Sequence, residues 1–175
     1  MFELTKSIIV AGTGKNVGKT SFVRALLRKL IAFSPIAVKI TPHFHTSDPG
    51  IILIESENFI ISKENKTNTG KDTSNFLLDG AKEVYFIQVK DEYLNEAFIK
   101  FCEIVDCGRF IVFESASLIK HVKPGLFFLI TDNSGQNKNQ DLTQYADLLI
   151  INNKMDKDFK NKDIDRLIMD FVKKF

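Results

Sequence analysis

A dominant charge is missing from this chain: 24 basic residues are met by 22 acidic ones, for a formal net charge of +2 spread along the sequence. That balance creates no long-range field, so neither nucleic acid nor an anionic membrane is an expected partner. Cysteine is scarce. Cys102 and Cys107 stand five apart without a CxxC spacing, which suits reduced packing thiols better than a disulfide framework or a zinc ribbon. No apolar run approaches the roughly 20 residues that cross a bilayer, and Met1 to Lys6 lacks the charged-then-apolar layout of a signal peptide. Internal repeats and low-complexity tracts are missing too. The expectation is a cytoplasmic protein.

What is present is core material: 44% of the 175 residues are hydrophobic, enough for one compact domain over 1–175 and too short for two. Short runs rich in Ile, Val and Phe occur at Ser7–Ala11, Ile36–Ile40, Val84–Val89, Phe110–Phe113, Leu126–Thr131 and Leu148–Ile151. They read as strands buried on both faces. Helix-period segments lie between or after them at Lys19–Phe33, Asp72–Gly80, Glu92–Val105 and Asp163–Phe175. The last puts Ile164, Leu167, Ile168, Phe171, Val172 and Phe175 on one face. The alternation predicts an α/β fold of three layers, a mostly parallel sheet with helices on both faces. Ile51–Ile54 and Phe59–Ile61 predict a β-hairpin set into the connection after the second strand, near 51–61. The polar stretch Ser62–Lys71 follows, either a segment ordered by ligand near the active face or an ordinary exposed loop.

The first strand empties into Gly12-Thr13-Gly14-Lys15-Asn16-Val17-Gly18-Lys19-Thr20, and a helical pattern opens with Ser21. Strand, glycine-rich loop and helix in that order are the context of a phosphate-binding P-loop. Glycines let backbone N–H groups curl around phosphate oxygens, Lys19 reaches the β- and γ-phosphates, and the Thr20 hydroxyl ligates magnesium. The first motif glycine, Gly12, comes one place earlier than the strict GxxxxGK[ST] spacing requires, so the loop is longer. This form resembles dethiobiotin synthetase and cobyrinic-acid-synthase-type enzymes, members of the signal-recognition and MinD-like class of P-loop proteins. That class often carries an additional loop lysine; Lys15 sits one residue from its usual place.

A second motif, Asn153-Lys154-Met155-Asp156, leaves the carboxyl end of the last strand. It is an NKxD sequence. Asp156 can accept from the guanine N1–H and exocyclic amine, the Lys154 stem can cover the base, and Asn153 can tie the loop to the phosphate loop. Adenine would leave Asp156 unpaired. The competing reading is a solvated, charged loop. GTP with Mg2+ is the expected ligand pair.

Lys39-Ile40-Thr41-Pro42-His43-Phe44-His45 and Gly70-Lys71-Asp72-Thr73-Ser74, running on to Asp79-Gly80-Ala81, resemble the KHTHHD and GKDSxxxxxAGA elements of the molybdopterin-guanine dinucleotide biosynthesis adaptor family, MobB, a GTP-binding branch of the same class. Phe110 to Glu114 resembles that family's strand ending in Glu-Gly, with Ser115 in place of the glycine. The resemblance implies a slow Mg-dependent GTPase that assists cofactor biosynthesis through a partner enzyme, and leaves a homodimer open. Two alternatives stand beside it: an ATP-dependent small-molecule kinase or ligase, and a metallochaperone GTPase, which Ala146–Asp156 also resembles.

Glu114 at a strand's carboxyl end can hold a magnesium-bound water or polarise the attacking water, which makes Lys19 and Glu114 the candidate catalytic residues. His43 and His45 form an HxH pair that could meet a metal or a substrate phosphate, or simply be polar loop residues. Asp48 and Asp72 could contact magnesium, while Asp72 with Thr73 could equally cap the following helix.

Overall fold

The computed structural model describes residues 1–44, 50–132, 135, 138–152, 159 and 161–175. Twelve elements follow one another: β1 (Phe2–Gly12), α1 (Lys19–Lys29), β2 (Ile36–Thr41), β3 (Ile51–Glu55), β4 (Phe59–Lys63), α2 (Asp72–Leu78), β5 (Glu83–Val89), α3 (Leu94–Ile104), β6 (Ile111–Glu114), β7 (Val122–Thr131), β8 (Leu148–Ile151) and α4 (Lys162–Val172). The strands form one eight-stranded sheet in the order β3-β4-β5-β2-β6-β1-β7-β8. From β5 to β8 every pairing is parallel, while β4 runs antiparallel to both β5 and β3.

Strand alternation divides the core between the two faces of the sheet. Ile8 and Val10 of β1 point toward Phe22, Val23 and Leu26 of α1, Phe76 of α2, and Ile164, Ile168 and Phe171 of α4. Ile9 and Ala11 point the other way, into a cluster with Phe98 and Phe101 of α3 and with Phe113, Phe127 and Leu129. Phe22 meets Phe128 edge-on, and Phe101 meets Tyr85 and Phe113 in the same way on the opposite face. With hydrophobic layers on both sides, the central strands can be apolar at every position, which parallel sheets require. The architecture is therefore α/β with a mostly parallel sheet and helices on both faces.

The structure refines several sequence expectations. The first helix stops at Lys29; a short 3-10 turn, Ile31–Phe33, carries the chain to Ser34, whose φ of 49° ends the helical path before Pro35. Helix α4 ends at Val172, and Phe175 is 50% exposed while its ring still meets Phe110 and Phe171 edge-on. β1 begins five residues earlier than the apolar run, at Phe2, because its N-terminal part pairs with β7 across a register shift between Leu4 and Ile8. Gly125 makes that shift fit: a Cβ there would fall on the Thr5 carbonyl oxygen and the Phe171 ring. The segments near 51–61 do pair as an antiparallel hairpin, β3 with β4, at one edge of the sheet. No helix among the described residues is long and apolar enough to cross a membrane.

Candidate functional site

β6 lies between β1 and β2 in the sheet, so the carboxyl ends of all three strands sit side by side. In open parallel sheets ligands bind outside those ends. Gly12 ends β1, Lys39 lies near the end of β2, and Glu114 ends β6. A cleft of about 490 Å3 opens there, lined by Lys15, Asn16, Gly18, Lys19, Thr20, Ser21, Lys39, Asp72 and Glu114.

The loop from β1 to α1 is held from several directions. The Thr13 N–H donates to the Ile130 carbonyl at 3.0 Å, and its hydroxyl meets that of Thr131 at 2.9 Å. Asn139 Nδ2 donates to the Gly12 carbonyl at 2.9 Å, and Asn152 Nδ2 to the Val17 carbonyl at 2.8 Å. Val17 is fully buried in the α1 core. Gly18, immediately before α1, adopts a φ of 105°, and a Cβ on it would collide with the Asn152 amide. Only glycine meets both demands at little cost. The first turn of α1 contains no acidic residue, and no side chain caps it. Its leading N–H groups and the positive end of the helix dipole are left to meet an anion.

Facing that helix end is a compact polar cluster. Thr20 Oγ1 lies 3.0 and 3.2 Å from the two Glu114 carboxylate oxygens and 3.4 Å from Asp72 Oδ2. Lys39 Nζ bonds Asp72 Oδ2 and lies 3.2 Å from Glu114 Oε1. Lys19 Nζ is folded back onto the Gly14 carbonyl at 2.6 Å. Burial pushes the Lys19 pKa down; Glu114 opposes that shift, while Lys39 and Lys138 add to it. Burial also works against the charge on Lys39, but Glu114 and Asp72 overcome it and hold its pKa above the ordinary lysine value. The site thus gathers ammonium groups in a half-buried cleft where an added anion would be stabilised.

Magnesium is the metal the sequence calls for. Hydroxyl and carboxylate oxygens are the hard donors it prefers, and it commonly takes one or two carboxylates and completes its shell with water and phosphate oxygens. Thr20, Glu114 and Asp72 fit that requirement. Among the described residues no group of three or more His, Cys, Asp or Glu side chains gathers on a metal-sized site.

Of the residues predicted from sequence, Lys15, Asn16, Gly18, Lys19, Thr20, Ser21, Asp72 and Glu114 line the cleft, whereas Gly12, Thr13, Gly14 and Val17 are not among its lining residues. His43 is exposed, and its N–H bonds the Thr41 hydroxyl. His45, Asp48, Asn153, Lys154 and Asp156 lie outside the described residues. The motif reading passed over Lys39, although it opens the segment that resembles KHTHHD. It also assigned the loop tie to Asn153, while the neighbouring Asn152 makes a contact of that kind. Nothing in the sequence around Asn139 signalled its bond to Gly12.

No protein-family model matches the chain, and no curated protein or solved structure matches it significantly.

A buried carboxylate fixes the segment leading into α2. Glu64, 5% exposed, accepts from the N–H groups of Asn65 and Lys66 at 3.1 and 3.0 Å and from the Thr73 hydroxyl at 2.7 Å. The Thr69 N–H donates to Ser74 Oγ at 3.0 Å. These bonds set the start of α2, and with it Asp72, beside Thr20.

Proposed function

We propose that the chain is a P-loop nucleotide-binding protein that takes GTP with Mg2+ in the cleft at the β1–α1 loop. The observation that carries the reading is the opposition of two groups across that cleft: an α1 N-terminus without a capping acid, carrying Lys19 and Thr20, and the pair Asp72 and Glu114. In this reading the loop amides and Lys19 hold the β- and γ-phosphates, and Thr20, Glu114 and Asp72 would hold the metal. Bound magnesium would offset phosphate charge as the bond to the γ-phosphoryl group breaks. Lys19 must leave the Gly14 carbonyl to meet a phosphate. Glu114 would orient water for a slow hydrolysis, with the γ-phosphoryl group passing to water.

Preference for guanine rests on Asn153, Lys154 and Asp156 by sequence, supported by the anchoring of Asn152 to the phosphate loop. The likeness to the molybdopterin-guanine dinucleotide adaptor family extends the proposal to a cytoplasmic helper of molybdenum cofactor biosynthesis that works with a partner enzyme, on a P-loop NTPase fold whose β3–β4 hairpin is an insertion. A second reading, an ATP-dependent small-molecule kinase or ligase, is favoured by the lengthened loop, whose Lys15 lines the cleft.

Calorimetric titration of GTP and ATP with magnesium separates the two readings. Tight GTP and weak ATP binding supports the first, and equal affinities move the kinase or ligase to first place. Asp156→Asn should weaken GTP by the loss of a charge-assisted pair, about 2–3 kcal/mol or roughly 30- to 150-fold, and favour xanthosine triphosphate. Unchanged GTP affinity in that variant would remove the guanine assignment.

A further inference from the structure

On the face of the sheet covered by α3, away from the cleft just described, the two cysteines meet. Helix α3 ends at Ile104, and Val105 turns to extended backbone with φ −126° and ψ 130° while its N–H still bonds the Phe101 carbonyl. The next residues turn tightly: Asp106 Oδ1 accepts from the Gly108 N–H at 2.9 Å, and its carbonyl accepts from the Arg109 N–H at 3.2 Å. This reversal brings Cys107 back onto the last turn of α3. Its Sγ lies 2.7 Å from that of Cys102. Both thiols are half-buried against the α3 core, and Cys107 also lines an open cleft of about 470 Å3 with Leu4, Thr5 and Lys6. A small molecule can therefore reach Cys107.

We propose that Cys102 and Cys107 form a thiol–disulfide exchange site that takes low-molecular-weight disulfides and closes to an intramolecular disulfide. The thiolate of one cysteine attacks one sulfur of the small disulfide, forming a mixed disulfide and releasing one small thiol. The other cysteine then loses its proton to solvent and attacks the protein sulfur of the mixed disulfide, releasing the second small thiol. The protein dithiol is oxidised by two electrons, and the small disulfide is reduced to two thiols. Either thiol can donate in the sulfur–sulfur contact, and each sulfur lies within reach of a mixed disulfide formed on the other. The sulfurs need to close by less than about 1 Å to reach a bond length near 2.05 Å. The fold therefore holds them at a high effective concentration.

The test equilibrates the full chain with mixtures of reduced and oxidised glutathione, quenches with acid and reads thiols and mass, once folded and once in denaturant. The expected folded-state equilibrium constant for the intramolecular disulfide is about tenfold or more above the denatured one. By linkage the oxidised protein then melts at a higher temperature than the reduced one. Equal constants, a lower folded constant, or only inter-chain dimers would reduce the pair to packing residues. Cys102→Ser and Cys107→Ser should each stop at the mixed disulfide, with no second small thiol released. Release of both small thiols by either single variant without inter-chain dimers would overturn the exchange step.

Discussion

Lys19 and Lys39 carry similar charge into the same cleft, yet their partners give them different tasks. Lys19 rests on a backbone carbonyl and can leave it without exposing a buried carboxylate, so Lys19→Ala should abolish measurable nucleotide binding while the far-ultraviolet circular dichroism stays unchanged. Retained GTP affinity would end the P-loop reading. Lys39 instead neutralises Asp72 and Glu114. Lys39→Met leaves two carboxylates facing each other, with a cost of about 1–2 kcal/mol, reduced from the fully buried case because Asp72 is 43% exposed. If these oxygens are magnesium donors, millimolar magnesium should restore most of that loss in a urea titration. A deficit that ignores magnesium would count against the donor set. Gly18→Ala tests the loop from its backbone side, where strain at a φ of 105° adds to the contact with Asn152, and about 1–3 kcal/mol of stability should be lost on chemical denaturation. A stability within error of the parent chain would show that the loop relaxes freely.

Among the elements, α2 depends most on one side chain, because the seven-residue helix is too short to be stable on its own and is fixed by the Glu64 knot at its start. Glu64→Ala removes the acceptor for two backbone N–H groups and the Thr73 hydroxyl, and should cost about 1–3 kcal/mol. Amide exchange over 65–74 should accelerate by more than the global change in stability explains. Uniform acceleration across the chain would mean that the knot only adds to overall stability. A cluster on β4 and β5 offers a contrast. β4 and β5 are joined to the loop before β6 by Glu83, which bonds Lys63 at 2.7 Å, Arg109 at 2.6 Å and the Tyr85 hydroxyl at 2.7 Å. These bonds hold the Glu83 pKa down at about 2, from 4.5. Because the folded-state value is depressed, the stability it contributes is present above pH 4.5 and is lost as pH falls from there through about 2. The cluster is near the surface and screened, so the loss is about 1 kcal/mol or less. Glu83→Gln should flatten that part of the stability–pH curve, and an unchanged slope would place the acid sensitivity elsewhere.

Across the whole molecule, a polar cleft lies at the carboxyl ends of β1, β2 and β6, and the two thiols meet on the sheet face covered by α3. The central strands and the helices were legible in the sequence because both-face burial leaves continuous apolar runs, and one-face burial leaves a 3.6-residue period; β8, expected to be buried on both faces, is instead a sheet edge with Leu149 and Ile151 exposed. The loop from Gly12 to Thr20 could be singled out as well, since its glycines, lysines and hydroxyl lie within nine residues, and eight of the residues singled out by sequence line the cleft. Strand order was not legible: the insertion of β6 between β1 and β2 depends on how crossovers pack, and no single segment encodes it. The same insertion decides which side chains share the cleft, so Lys39 reaches Glu114 only in the folded chain. Asn139 and Asn152 became loop anchors for that reason, as each bonds a carbonyl more than a hundred residues away in sequence. The cysteine spacing excluded familiar motifs, but the contact between the sulfurs arises from the turn that ends α3. Sequence determined the elements and the contiguous loop because their signals are local. Tertiary structure decided the cleft's far wall and the thiol pair because both depend on chain reversal and on the order in which strands pack.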